Sequence, residues 1–156
     1  MPISSVLEWL ASTDLATAIQ QSPAMGALSS VHLVGLTLIV GSAAVVCLRC
    51  FGLLLPEQPL SEVMRPAWKV ILLGLAISLT SGLLMFMPRA VAAAGHYAFR
   101  IKMVLVLTAI VFHFTLYRSV TRSGQSRPPW FRLTGVLGAG LWFAIGVCGC
   151  LFAIFE

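Results

Sequence analysis

The sequence is short of charge. Only 10 % of its 156 residues are Asp, Glu, Lys or Arg, against roughly 25 % in a soluble domain. No carboxylate lies inside any long apolar run, which argues against a carboxylate-based proton relay. Cysteine is sparse too. Cys47, Cys50, Cys148 and Cys150 lie in or beside apolar runs, so a secreted-type disulfide framework is not expected. The N-terminus lacks the basic residues that begin a signal peptide, and the first long apolar run starts too late for one. No Ser/His/Asp set, H-E-x-x-H or phosphate-binding glycine loop occurs. The net charge of +5 raises the question of nucleic acid. The basic residues are scattered at the ends of apolar runs, with no basic face carrying interleaved aromatics, so nucleic acid is set aside.

What the sequence does have is hydrophobic residues, 59 % of the chain, in runs long enough to cross a bilayer. The fold class expected is all-α: one integral membrane four-helix bundle over residues 1–156, with an N-terminal amphipathic segment at the interface. The spans fall at about 27–48, 67–87, 101–117 and 133–155. Residues 3–22 are too short and too polar to span, and Leu7, Leu10, Leu15, Ala18 and Ile19 mark one or two interfacial helices. Thr13 or Ser12 suits a cap. Residues 49–66, rich in proline and charge, read as a loop. Residues 90–100 read as a short re-entrant or interfacial turn.

Spacing also predicts faces. Leu28, His32, Gly35, Ile39, Ser42 and Val46 share one side of the first span. Gly74, Ser78 and Gly82 form a small-xxx-small seam on the second. Lys102, Val106, Ala109, His113 and Leu116 align on the third. Gly135, Ala139, Trp142, Gly146 and Gly149 align on the fourth.

Lysine and arginine set the orientation. The loops after spans one and three hold Arg49, Arg65, Lys69, Arg118, Arg122, Arg127 and Arg132, against Arg89, Arg100 and Lys102 on the other side. The expectation is a multi-pass protein of a bacterial inner membrane with both termini periplasmic. His32 then lies on the order of 8 Å below the outer face. It converges with Lys102, Arg100 and the loop residue His96. A histidine within hydrocarbon calls for an explanation, because polar groups there are costly and mark functional sites. The bland explanation, a histidine hydrogen-bonded across helices to a carbonyl or to Ser78, carries roughly even weight. His113 lies roughly 16 Å deeper than Lys102 along its helix, so the two histidines are not expected to share one metal. Thioethers at the outer level are Met85, Met87 and Met103. Thioether and imidazole suit copper, and imidazole also suits haem iron.

The pattern Val31-His32-Leu33-Val34-Gly35-Leu36, Gly41, Leu48-Arg49-Cys50-Phe51-Gly52, Trp68, Ser81-Gly82-Leu83-Leu84 and Phe99-Arg100-Ile101-Lys102 resembles a bacterial family catalogued as domain of unknown function 6644. The same skeleton is similar to the membrane domain of the copper-resistance protein D family. That family also has a histidine early in one span, a serine-glycine-leucine late in another and a lysine opening a third. The resemblance implies copper handling. The skeleton is also similar to the four-helix bacterial protoporphyrinogen oxidase, which shares a first-helix histidine and a later lysine and binds haem b. The chain departs from both. It lacks the asparagine-arginine pair that follows the lysine helix of the first, and the arginine-phenylalanine-asparagine-glutamate motif of the second. No catalytic residue is therefore carried over.

The preferred expectation is a redox-active centre at the periplasmic side, haem b for electron transfer. His32 would be an axial ligand, His96 or a methionine the second, and Lys102 and Arg100 partners for anionic groups. The partner would be a quinone or a periplasmic redox protein. The alternative is copper(I) handling or transport by His32, Met85, Met87 and Met103; His96 and His113 complete the candidate metal ligands. A second alternative is a non-catalytic subunit or scaffold in a homo-oligomer or larger membrane complex.

Overall fold

The structure, a computed structural model, describes residues 3–123 and 130–155. Its elements are helices α1 (Ile3–Ala11), α2 (Asp14–Gln21), α3 (Ala24–Phe51) and α4 (Leu60–Phe86), a 3₁₀ turn (Met87–Arg89), then α5 (Ala90–Gly95), α6 (Tyr97–Ser123) and α7 (Trp130–Phe155). No strand occurs among the described residues. Four helices are long and apolar enough to cross a membrane, and the chain is an all-α, multi-pass membrane protein. Of the basic loop between spans three and four, Gly124, Arg127, Pro128 and Pro129 lie outside the described residues, as do the side chains of Arg122 and Cys150.

The four long helices run antiparallel in the ring order α3, α4, α6, α7. One end of the bundle carries His32 and the other Arg49. The closest pair is α3 and α4, and the reason is glycine. A Cβ built on Gly74 would stand 2.7 Å from Gly35 O and 2.8 Å from Ile39 Cγ1. The two backbones therefore touch where only hydrogen fits, as small-residue seams permit in a membrane. The face predicted on α3 is the buried one at Gly35, Ile39 and Val46.

Two apolar clusters fill the middle and the Arg49 end. Ile39, Ala43, Ala109, Trp142 and Ile145 form one. Val46, Leu60, Met64, Ala67, Leu116 and Val120 form the other. The predicted face of α6 is buried at Ala109, His113 and Leu116. On α7 the predicted stripe holds in part: Gly135 and Trp142 are buried and Gly149 is half-buried, while Ala139 and Gly146 are exposed and Gly138 and Ile145 face inward instead. Small residues occupy both registers, so spacing alone could not choose between them.

The loop expected over 49–66 is shorter. α3 continues to Phe51 and ends at Gly52, whose φ of 78° suits a residue without Cβ. α4 begins at Leu60 behind Pro59, with Pro66 inside the helix. A proline in the second turn removes only a bond to Glu62 O, at an exposed position near the helix start. Arg49, expected in that loop as a headgroup charge, is buried within α3. Its guanidinium donates to Gln58 O and, at 3.4 Å, to Pro56 O, pinning the turn.

At the His32 end, Thr13 caps α2 by accepting from Ala16 N at 3.3 Å. Ala16 and Ile19 of α2 and Ala90 and Ala93 of α5 are buried, and α1 and α2 pack on the 3₁₀ turn. The interval 90–100 is thus a short helix and the first turn of α6. The outward faces of α1 and α2 leave Ile3, Val6, Trp9 and Leu15 exposed, the composition of an interfacial anchor.

Candidate functional site

His32 stands one turn before the Gly35–Gly74 crossing, so close helix approach presses it against α4. Its Nδ1 is 3.1 Å from Ser81 Oγ. A Cβ on Gly82 would come 3.1 Å from its Cε1, so that glycine makes room for the ring. Ser81 Oγ has one proton, and it donates to Ile77 O at 2.7 Å, with Ser78 O at 3.3 Å. It must therefore accept from His32, which assigns the tautomer: Nδ1 carries the proton. Nε2 keeps its lone pair and takes no hydrogen bond among the described residues. A hydrogen bond at one ring nitrogen orients the imidazole and leaves the lone pair of the other available. Ser78 Oγ adds a long contact, 3.5 Å, to the His32 carbonyl.

Lys102 comes to the same level from α6. Its charge acts on His32, and its Nζ lies 3.6 Å from where a Cβ on Gly149 of α7 would be. The gap at Gly149 admits the ammonium. All four spanning helices thus meet at one polar level, as the sequence led one to expect for His32 and Lys102. Ser81, the residue that decides the chemistry of His32, was not singled out for that role. The signal available was its place one helical turn past Ser78 on the glycine seam.

The apolar core does not reach this level. Among the described residues of α6 and α7, none is buried on α6 before Ala109 and none on α7 after Ile145. Serine and glycine, not leucine, line the α4 side.

Met85 sits one turn beyond Ser81, and its sulfur is 3.9 Å from Ser29 Oγ, one turn before His32. It is a thioether about one helical turn from the His32–Ser81 pair, toward the same end of the bundle. Met87 is half-buried and opens the 3₁₀ turn. Met103 is 44 % exposed on the outer side of α6, so it does not join the site. Arg100 departs as well. At 100° per residue it lies about 200° around α6 from Lys102, on the exposed face with Tyr97 and Val104. His96 occupies the turn between α5 and α6, where its amide donates to Ala93 O at 3.1 Å and its carbonyl accepts from Arg100 N at 3.2 Å.

His113 belongs to another place. It is buried, its Nδ1 is 3.0 Å from Ala109 O, and Trp142 Nε1 donates to its Nε2 at 3.4 Å. A carbonyl accepts only, so His113 Nδ1 is the donor and Nε2 the acceptor. Both ring nitrogens are committed, which removes His113 from the metal ligands expected. It packs beside Gly138, as does Cys47. Cys47 is 15 residues along α3 from His32, a rise of roughly 22 Å. Among the described residues no three His, Cys, Asp or Glu side chains converge.

No curated protein and no solved structure matches the chain. The model of a family of unknown function, DUF6644, matches residues 4–154, and the chain belongs to that family.

Proposed function

We propose that the chain binds haem b at the His32 end and passes electrons there. The observation that carries this reading is the His32 ring, fixed by the 3.1 Å contact of Nδ1 with Ser81 Oγ and left without a partner on Nε2 among the described residues, at a level where no described residue of α6 or α7 is buried. The donor set fits such a group. A porphyrin brings its own four nitrogens, so the protein needs to add only axial donors and cations for the propionates. His32 and Met85 would hold the group, and Lys102 would pair with its anionic edge. The group when bound would supply one-electron chemistry. The chain would hold it, orient the imidazole through Ser81 and cover it with α1, α2 and α5. The excess of Lys and Arg at the Arg49 end supports a bacterial inner membrane with the His32 end and both termini periplasmic. A quinone or periplasmic redox protein would be the partner.

The test is a visible spectrum of the detergent-purified protein before and after dithionite. The expected result is a Soret band with reduced α and β bands, lost in His32→Ala. A colourless protein from haem-replete cells, or a spectrum unchanged by His32→Ala, overturns the proposal. Copper(I) is the second reading, favoured by the Met85 thioether about one helical turn from the His32–Ser81 pair, and metal analysis of a colourless protein would test it.

A further inference from the structure

A second feature at the His32 end faces away from the bundle. Tyr97, Arg100, Ile101, Val104 and Leu105 line a shallow, open groove on α6. Its residues recur at i, i+3, i+4, i+7 and i+8, so they form one helical strip. Tyr97 is 71 % and Val104 65 % exposed. On a spanning helix, that exposure is to lipid.

The strip is graded in polarity along the membrane normal. Tyr97 and Arg100 belong to the first turn of α6 and stand level with the short interfacial helices. Ile101, Val104 and Leu105 continue toward the bundle middle, about 7.5 Å from Arg100 to Leu105. A cation and a hydroxyl at headgroup depth above an apolar trough complement a phosphate ester carrying a hydrocarbon tail. A guanidinium fork matches phosphate oxygens in pairs. A quinone, with neutral carbonyls, would gain less from the charge. Arg100 is about 200° around the helix from Lys102, so this groove is separate from the His32 site.

We propose that this groove binds one anionic phospholipid. Its phosphate rests on Arg100 and Tyr97, and an acyl chain lies along Ile101, Val104 and Leu105. Anionic lipid then holds the start of α6 at a fixed depth beside the His32 level.

The full chain in nanodiscs of phosphatidylcholine with phosphatidylglycerol, released into mild detergent for native mass spectrometry, tests this. One phosphatidylglycerol retained per chain is expected. Arg100→Gln should cut retention roughly tenfold, the scale of one charged hydrogen bond, and Arg100→Lys less. The melting temperature should hold, because the side chain is exposed. Val104→Trp, which fills the trough, should lower retention independently. Equal retention by Arg100→Gln, equal retention of phosphatidylcholine, or displacement of the lipid by an added quinone would overturn the proposal.

Discussion

At the Arg49 end, α3, α4 and α6 close around Val46, Met64, Leu116 and Val120, and Arg49 ties the turn to the helix. At the His32 end the same helices meet through serine, glycine, a histidine and a lysine. The histidines show the difference most plainly. His113 is enclosed by Phe112 and Trp142, with ring centroids 5.4 and 5.7 Å away, and spends both nitrogens on the fold. His32 is half-buried and spends one. A polar group deep in a bundle is tolerated when it is fully satisfied. His32 keeps a lone pair on Nε2 at a level where no described residue of α6 or α7 is buried, which is why the proposed function rests on it and not on the more deeply buried His113.

Three substitutions bear on this contrast. Gly74→Val strikes the crossing that both ends share. Its new side chain meets Gly35 O and Ile39, so a loss of about 3 kcal/mol or more is expected, read as a large fall in melting temperature and in monodisperse protein. Trp142→Phe keeps the ring but strands His113 Nε2 without its donor. That should cost about 1–3 kcal/mol while leaving any His32-dependent spectrum in place. A spectral change in Trp142→Phe would mean that the two ends are not independent. Ser81→Ala should do the reverse. Stability should fall by about 1 kcal/mol, while affinity for the bound group should weaken roughly tenfold or more, measured by titrating haem into apoprotein. Unchanged affinity would show that Ser81 merely packs.

Much of this architecture was legible beforehand. The spans, the α3 face and the Gly74-Ser78-Gly82 seam follow from composition and period, since lipid tolerates only long apolar helices with satisfied backbones. Span limits were less legible. Pro59 and Pro66 look like breakers, yet the first can open a helix and the second is tolerated near its start. The α7 stripe was ambiguous because Gly138 and Ala139 both satisfy a small-residue pattern. In the site, His32 and Lys102 stood out as polar groups where hydrocarbon should be, while Arg100 and Met103 looked equally eligible by depth. Helical phase separates them, because Arg100, two residues from Lys102, turns most of the way to the opposite face, and Met103, one residue away, turns about 100° to the outer side.

The chain's sequence by itself determined that this is a membrane bundle and which few polar groups need explaining, because hydropathy and charge act locally and read directly from residue order. Only the tertiary structure decided what each histidine is free to do. That depends on a single hydroxyl proton on Ser81 and a single indole N–H on Trp142, contributed by helices 49 and 29 residues away along the chain. A local pattern marks the glycine seam, but which side chains it brings within hydrogen-bond reach depends on how the helices cross.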